Sequence, residues 1–129
     1  MSSFHSASFS GLHVLLVEDD ADVRNVLLRY LAALRCDVTQ AGSAEDALRY
    51  LNQQAGIQLL LSDIALGSGL RGTDLAAIAA ERVPGLPILL MSGFTQADHD
   101  TAARWNVLRK PFRRESLAQA MAEALRRLA

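Results

Sequence analysis

Val14-Leu15-Leu16-Val17-Glu18-Asp19-Asp20 reads as a buried strand that runs straight into acid. Four aliphatic residues with no polar alternate describe a strand covered on both faces, as strands of parallel sheets are. Leu59-Leu60-Leu61-Ser62-Asp63 repeats the form with a single carboxylate, and Asn106-Val107-Leu108-Arg109-Lys110 ends a further run in an ammonium. Open α/β sheets bind ligands at the carboxyl ends of their strands, so parallel pairing would gather these charges at one edge.

Outward from these runs, strand and helix patterns alternate from residue 12 to the end, with no repeat, low-complexity tract or linker. That alternation predicts an α/β domain with a parallel sheet and helices on both faces. Asp20 should cap a first helix whose apolar stripe is Val23, Val26, Leu27, Tyr30, Leu31 and Leu34. A short strand at residues 37–40 follows, and Ser43-Ala44-Glu45-Asp46 has the form of a capping box opening a second helix. Residues 57–62 form the third strand. A glycine-rich loop from Gly67 to Gly72 then leads to a third helix, capped by Thr73, with Leu75, Ile78 and Ala79 inward. The fourth strand is expected at residues 88–91, and a short or frayed fourth helix within residues 94–104, where little apolar face exists. Residues 106–109 make the last strand and 112–128 the last helix, with Leu117, Met121, Leu125 and Leu128 facing the core.

The 129 residues suffice for one domain with a sizeable core, and with 50% hydrophobic but only 5% aromatic residues that core should be aliphatic. A net charge of −1 argues against a nucleic-acid footprint, which needs concentrated Lys and Arg. No run reaches the ~20 apolar residues of a membrane span. Cys36 is alone, which excludes an internal disulfide and suits a reducing, cytoplasmic compartment. Residues 1–11 are Ser-rich and read as a flexible leader, with residues 12–129 as the domain proper.

Lys110 is the only lysine beside twelve arginines. A compact ammonium can meet one phosphoryl or carboxylate oxygen as a point charge, where a guanidinium would impose a planar fork. Clustered carboxylates repel one another unless a cation intervenes, and hard oxygen ligands select Mg²⁺, or Mn²⁺, over zinc. The simplest arrangement has Asp19 and Asp63 as direct ligands, Glu18 acting through water, and a backbone carbonyl just after Asp63 completing the set. A carboxylate beside such an ion and a lysine invites phosphoryl transfer, with Asp63 as nucleophile. Ser92, at the end of the fourth strand, could donate its hydroxyl to a phosphoryl oxygen, and Gly93 leaves the approach open. Asp20, Asp22 and Asp74 are better read as helix caps or first-turn charges. His5, His13 and His99 have no partners at metal-ligand spacing. Arg113, Arg114, Arg126 and Arg127 read as a solvated helix face.

Glu18-Asp19, Asp63, Ser92-Gly93 and Lys110-Pro111-Phe112, in this order and spacing, resemble the receiver domain of two-component response regulators over residues 12–128. The wording is most similar to receivers of hybrid sensor histidine kinases. Arg24 supports taking Glu18 and Asp19 as the acidic pair. The resemblance implies a flavodoxin-like, doubly wound, five-stranded parallel sheet of order 2-1-3-4-5. It also implies a phosphoryl group received on Asp63 from the phosphohistidine of a sensor histidine kinase or phosphotransfer protein. Mg²⁺ dependence follows, with the carbonyl of Ala65 as a further ligand. Such a domain would catalyse its own phosphorylation, and its own dephosphorylation at most, rather than turn over a metabolite; homodimers through the last helix are left open. The second reading is a receiver-like scaffold that binds partners without phosphorylation.

Three features depart from the family pattern. Gly67 replaces a proline, which predicts a mobile loop; Val107 stands at the aromatic switch position, with Trp105 two residues earlier; and the stretch from Ser92 to Lys110 is short. Gly67-Ser68-Gly69-Leu70-Arg71-Gly72 also matches the dinucleotide-binding fingerprint. It starts four residues past Asp63 and lacks an acid about 20 residues on, so that reading is rejected.

Overall fold

The computed structural model describes residues 9–93 and 99–127. Five parallel strands form one sheet in the order β2-β1-β3-β4-β5. The strands are β1 (His13–Val17), β2 (Asp37–Ala41), β3 (Leu59–Asp63), β4 (Ile88–Ser92) and β5 (Asn106–Arg109). The helices between and after them are α1 (Ala21–Ala33), α2 (Ala44–Gln53), α3 (Gly72–Arg82), α4 (His99–Arg104) and α5 (Arg114–Arg127). The doubly wound α/β fold expected from the alternating pattern is thus present, with the expected strand order.

Two aliphatic layers sandwich the sheet. Alternate residues of each strand point to opposite faces, so Val14, Leu16, Leu59, Leu61, Leu89 and Met91 join the layer under α1 and α5. Leu15, Val17, Leu60, Ile88 and Leu90 join the layer under α2 and α3. Every residue of β3 and β4 is buried, whereas β5, at the sheet edge, is only half-buried along Asn106–Leu108 and exposed at Arg109.

The predicted caps at Asp20 and Ser43 are present. Asp20 Oδ1 accepts the amides of Asp22 and Val23 at 2.9 and 3.1 Å, and Ser43 Oγ accepts that of Asp46 at 3.1 Å. Four details differ from expectation. Thr73 does not cap α3: the helix begins at Gly72, and Asp74 Oδ2 accepts the Arg71 amide at 3.0 Å. Ile78 is only part-buried, its place on the inner face taken by Ala76. Val26 is 39% exposed, because the buried side of α1 is centred on Leu27 and Leu31. Phe9, assigned above to the leader, is 2% exposed and packs into the α1/α5 layer. Its carbonyl accepts the Leu12 amide at 2.9 Å, and the Gly11 amide donates to Arg35 O at 2.9 Å. The α5 contact expected of Leu128 lies outside the described residues. Among the described residues, no helix is long and apolar enough to cross a membrane.

Candidate functional site at the carboxyl edge

Each site residue follows directly from the end of a strand, and backbone bonds continue the ladders past the strand ends. The Glu18 amide donates to Ala41 O at 3.1 Å, the Ile64 amide to Met91 O at 2.9 Å, and the Lys110 amide to Ser92 O at 2.8 Å. Arg24, reaching back from the first turn of α1, donates from Nη1 to the Glu18 carbonyl at 2.6 Å. The backbone from which Glu18, Asp63 and Lys110 project is therefore set by sheet register and one guanidinium.

Lys110 Nζ donates to Glu18 Oε1 and to Asp63 Oδ2, both at 2.9 Å. Glu18 is 1% exposed and Asp63 6%, while Lys110 is part-exposed at the rim. Burial pushes the Glu18 carboxyl up to about 7, with the Asp63 charge adding to the rise and the bonds from Lys110 and from the Asp20 amide opposing it. Burial would by itself lower the Lys110 ammonium, but its bonds to Asp63 and Glu18 outweigh this and hold it above its ordinary value. The Lys110–Pro111 peptide is cis.

One oxygen each of Glu18, Asp19 and Asp63 lie within 4.8 Å of one another. Asp19 is exposed at the mouth of this cluster. Both Glu18 oxygens have protein donors, Lys110 Nζ on one and the Asp20 amide at 3.2 Å on the other. Three carboxylates against one ammonium leave an excess of negative charge on oxygen donors, a set that suits a hard divalent cation. The expected acidic triad is therefore assembled. The engagement of both Glu18 oxygens fits a role behind Asp19 and Asp63.

The two remaining expected residues are Ala65 and Ser92. Ala65 lies beside the cluster, its amide donating to Asp63 Oδ1 at 3.3 Å. Ser92 ends β4 as expected and is buried, but its hydroxyl donates to the adjacent Gly93 carbonyl at 2.9 Å. A rotation about its side-chain bond would be needed to aim it elsewhere. Phe94, which follows Gly93, lies outside the described residues.

Two glycines bear on the site in ways the sequence pattern does not reveal. A Cβ on Gly72 would stand 2.0 Å from the Asp63 carbonyl oxygen, so the start of α3 can approach the end of β3 only without a side chain. Gly67, at φ +71, lies against Asp19, whose Oδ2 would be 3.0 Å from a Cβ there. The glycine-rich loop nevertheless carries ordered backbone bonds. The amides of Ala65, Leu70, Arg71 and Gly72 all donate, the last to Ile64 O at 2.9 Å. With Asp19 packed against its first glycine, it offers a carboxylate where a pyrophosphate would have to lie, which disposes of the dinucleotide reading.

This arrangement has close counterparts in known proteins. The sequence profile described as "Response regulator receiver domain" matches residues 14–122. The chain belongs to the response regulator receiver family. Among its relatives, the response regulator receiver protein CpdR of Brucella abortus (strain 2308) is 33% identical over 116 residues, 87% of this chain and 95% of CpdR. The response regulator protein FleR of Pseudomonas aeruginosa is 34% identical over 84% of this receiver, which spans 24% of FleR's length. The transcriptional regulatory protein GlrR of Escherichia coli (strain K12) is 29% identical over 88% of the receiver, again spanning only 26% of the longer chain. A solved response regulator receiver protein from Sinorhizobium medicae WSM419 superposes with a TM-score of 0.82 at 26% identity, covering 92% of this chain and 98% of its own. The receiver is thus similar both to proteins of its own size and to one part of much longer ones.

Proposed function

We propose that this receiver works in two-component signal transduction, taking a phosphoryl group onto Asp63 from a phosphohistidine of a sensor histidine kinase or phosphotransfer protein. The observation that carries the proposal is the position of Lys110 Nζ, 2.9 Å from Asp63 Oδ2 in a cluster of three carboxylates. In the transfer, an Asp63 carboxylate oxygen bonds to phosphorus as the bond from phosphorus to the imidazole nitrogen breaks. The electron pair of that bond returns to the imidazole, and Asp63 becomes an acyl phosphate. Lys110 exchanges its bond to Asp63 Oδ2 for one to a phosphoryl oxygen and keeps Glu18 as its second partner. The Ala65 amide holds Asp63 Oδ1 in place.

Asp19 and Asp63 would hold Mg²⁺, or Mn²⁺ in its place, directly, with Glu18 behind them and the Ala65 carbonyl as a further ligand. When bound, the ion supplies neutralising charge to the phosphoryl oxygens as negative charge spreads over them. Ser92 would donate to a phosphoryl oxygen after turning from Gly93. The receiver turns over no external metabolite; it catalyses its own phosphorylation and, by admitting water, its own dephosphorylation. We place it in the cytoplasm, with protein partners and no nucleic-acid contact of its own. The term "transcriptional regulatory" in the name of GlrR belongs to a chain of which the matched receiver is only 26%.

Incubation with a small phosphodonor and Mg²⁺, read by intact mass, tests this reading. One acid- and hydroxylamine-labile adduct is expected, absent in Asp63→Asn and after chelation of divalent ions. An adduct that survives in Asp63→Asn refutes the assignment. A wild-type protein that takes up no phosphoryl group from either small donors or phosphorylated kinases would favour the scaffold reading.

A further inference from the structure

The loop between Asp63 and α3 is tied to the rest of the molecule by a carboxylate that belongs to neither. Glu45, in the first turn of α2, accepts the Leu70 amide on Oε2 at 3.2 Å. The preceding residue, Gly69, has φ +89, and a Cβ there would lie 2.9 Å from the same oxygen. The other end of the loop carries the matching feature, Gly67 at φ +71 with Asp19 Oδ2 against it. Two glycines two residues apart thus each lie against a carboxylate from a different element.

The remaining amide bonds of the loop are local: Ala65 to Asp63, Arg71 to Asp74 and Gly72 to Ile64. Local bonds hold the shape of a turn but do not anchor it to the sheet edge. Leu66, 3% exposed, anchors the start of the loop in the α2/α3 layer; Glu45 supplies the hydrogen-bonded anchor beyond it, and the backbone freedom of Gly67 and Gly69 makes that anchor matter, because glycine segments gain the most disorder when released.

We propose that Glu45 is a positioning residue of the receiver. By accepting the Leu70 amide it holds the segment from Gly67 to Leu70 in place, and through Gly67 it fixes the side-chain position of Asp19. This rests on the reading of Asp19 and Asp63 as ligands of a divalent cation. Glu45 touches neither Asp63 nor a transferring group. Its effect is on how well the cation-binding oxygens are preorganised, and replacing its carboxylate by any acceptor of similar reach preserves it.

The test uses the full chain, with Glu45→Ala and Glu45→Gln beside the wild type. Two quantities are read: exchange of the Leu70 amide with solvent by NMR, and Mg²⁺ affinity by calorimetry. Glu45→Ala should speed Leu70 exchange about tenfold and weaken Mg²⁺ binding about threefold, the low end of the range for one hydrogen bond to a charged group, because this one is exposed. Glu45→Gln loses the same charge and the same favourable contact with the α2 N-terminus but retains an acceptor oxygen. It should return both quantities to within about twofold of wild type, as the amide oxygen of Gln can accept the same Leu70 N–H.

Unchanged exchange and affinity in Glu45→Ala would overturn the proposal. So would equal weakening of Mg²⁺ binding in both variants while Leu70 stays protected in Glu45→Gln, since charge and not position would then be the cause. Failure of the underlying reading looks different: wild-type protein would bind no Mg²⁺ at all, or Asp19→Asn and Asp63→Asn would bind as well as wild type. That result would overturn the cation-binding role of Glu45 together with the site it serves.

Discussion

β3 and β5 each deliver one half of the Lys110–Asp63 pair, yet they are built very differently. β3 lies in the middle of the sheet, and all five of its residues are buried. β5 lies at the edge, has four residues, and buries none of them fully. The carboxylate is therefore carried by one of the two fully buried strands and the ammonium by a half-buried edge strand. The pair thus ties a fully buried central strand to a half-buried edge strand. At that edge the half-buried Val107 and Trp105 pack against the α2/α3 layer.

The comparison can be broken most directly by one substitution made on both strands. Leu61→Ala, at a fully buried site, should cost about 2–5 kcal/mol, as truncations in tightly packed cores do. Leu108→Ala, on half-buried β5, should cost about 1–2 kcal/mol, since part of its surface is already solvated. Urea denaturation of both variants decides the matter, and equal losses would show that the edge is as tightly held as the centre.

Next in size is Gly72→Ala. A methyl placed 2.0 Å from the Asp63 carbonyl oxygen must displace the start of α3 or the end of β3, at about 1–3 kcal/mol. Phosphoryl uptake should fall with stability, because the displaced backbone is that of Asp63 itself. Normal uptake in a destabilised Gly72→Ala protein would detach the two.

Glu18 gives a pH dependence of known sign. Its carboxyl is raised from 4.5 to about 7 in the fold, chiefly by burial. Below 4.5 folded and unfolded chains both carry the proton; between 4.5 and 7 the unfolded chain releases it and the folded one retains it. Stability from this group is therefore lost as pH rises through that window. In chelating buffer, Glu18→Gln should be more stable than wild type at pH 8 by roughly 1–3 kcal/mol and should gain little at pH 4. Denaturation curves at the two pH values test it; a gain independent of pH would assign the effect to packing.

The smallest effect is expected at the far end of the edge. Arg127, in the last turn of α5, donates to Asn106 Oδ1 at 2.9 Å and to the Ala103 carbonyl at 2.8 Å, joining α5 to β5 and to the end of α4. Both contacts are exposed, so Arg127→Ala should cost no more than about 1 kcal/mol. It should nevertheless speed amide exchange in β5 more than in β3. Uniform acceleration across both strands would mean that the edge does not open independently.

Much of this could be read from local pattern. Continuous apolar runs named β1, β3 and β4 because only strands covered on both faces lack a polar alternate. Asp20 and Ser43 were legible as caps because a cap bonds amides two or three residues away. Thr73 was misjudged for the opposite reason: the start of α3 is set by how closely Gly72 can approach the end of β3, which no residue near Thr73 reports. Val26 follows the helical stripe of α1 in sequence but falls at its margin, since the buried arc is narrower than the run of apolar residues. Phe9 gave no periodic signal, being a single aromatic in a polar segment.

The sequence by itself determined the order of the elements, the strand ends that carry charge, and the identity of Glu18, Asp19, Asp63 and Lys110 as one chemical set. Periodicity, caps and residue chemistry are properties of neighbours along the chain, so they survive in one dimension. Only the tertiary structure decided that Lys110 bridges Glu18 and Asp63, and that Gly72 and Glu45 bear on the loop after Asp63. Those outcomes depend on distances between atoms far apart in sequence, which sheet register and helix packing set together.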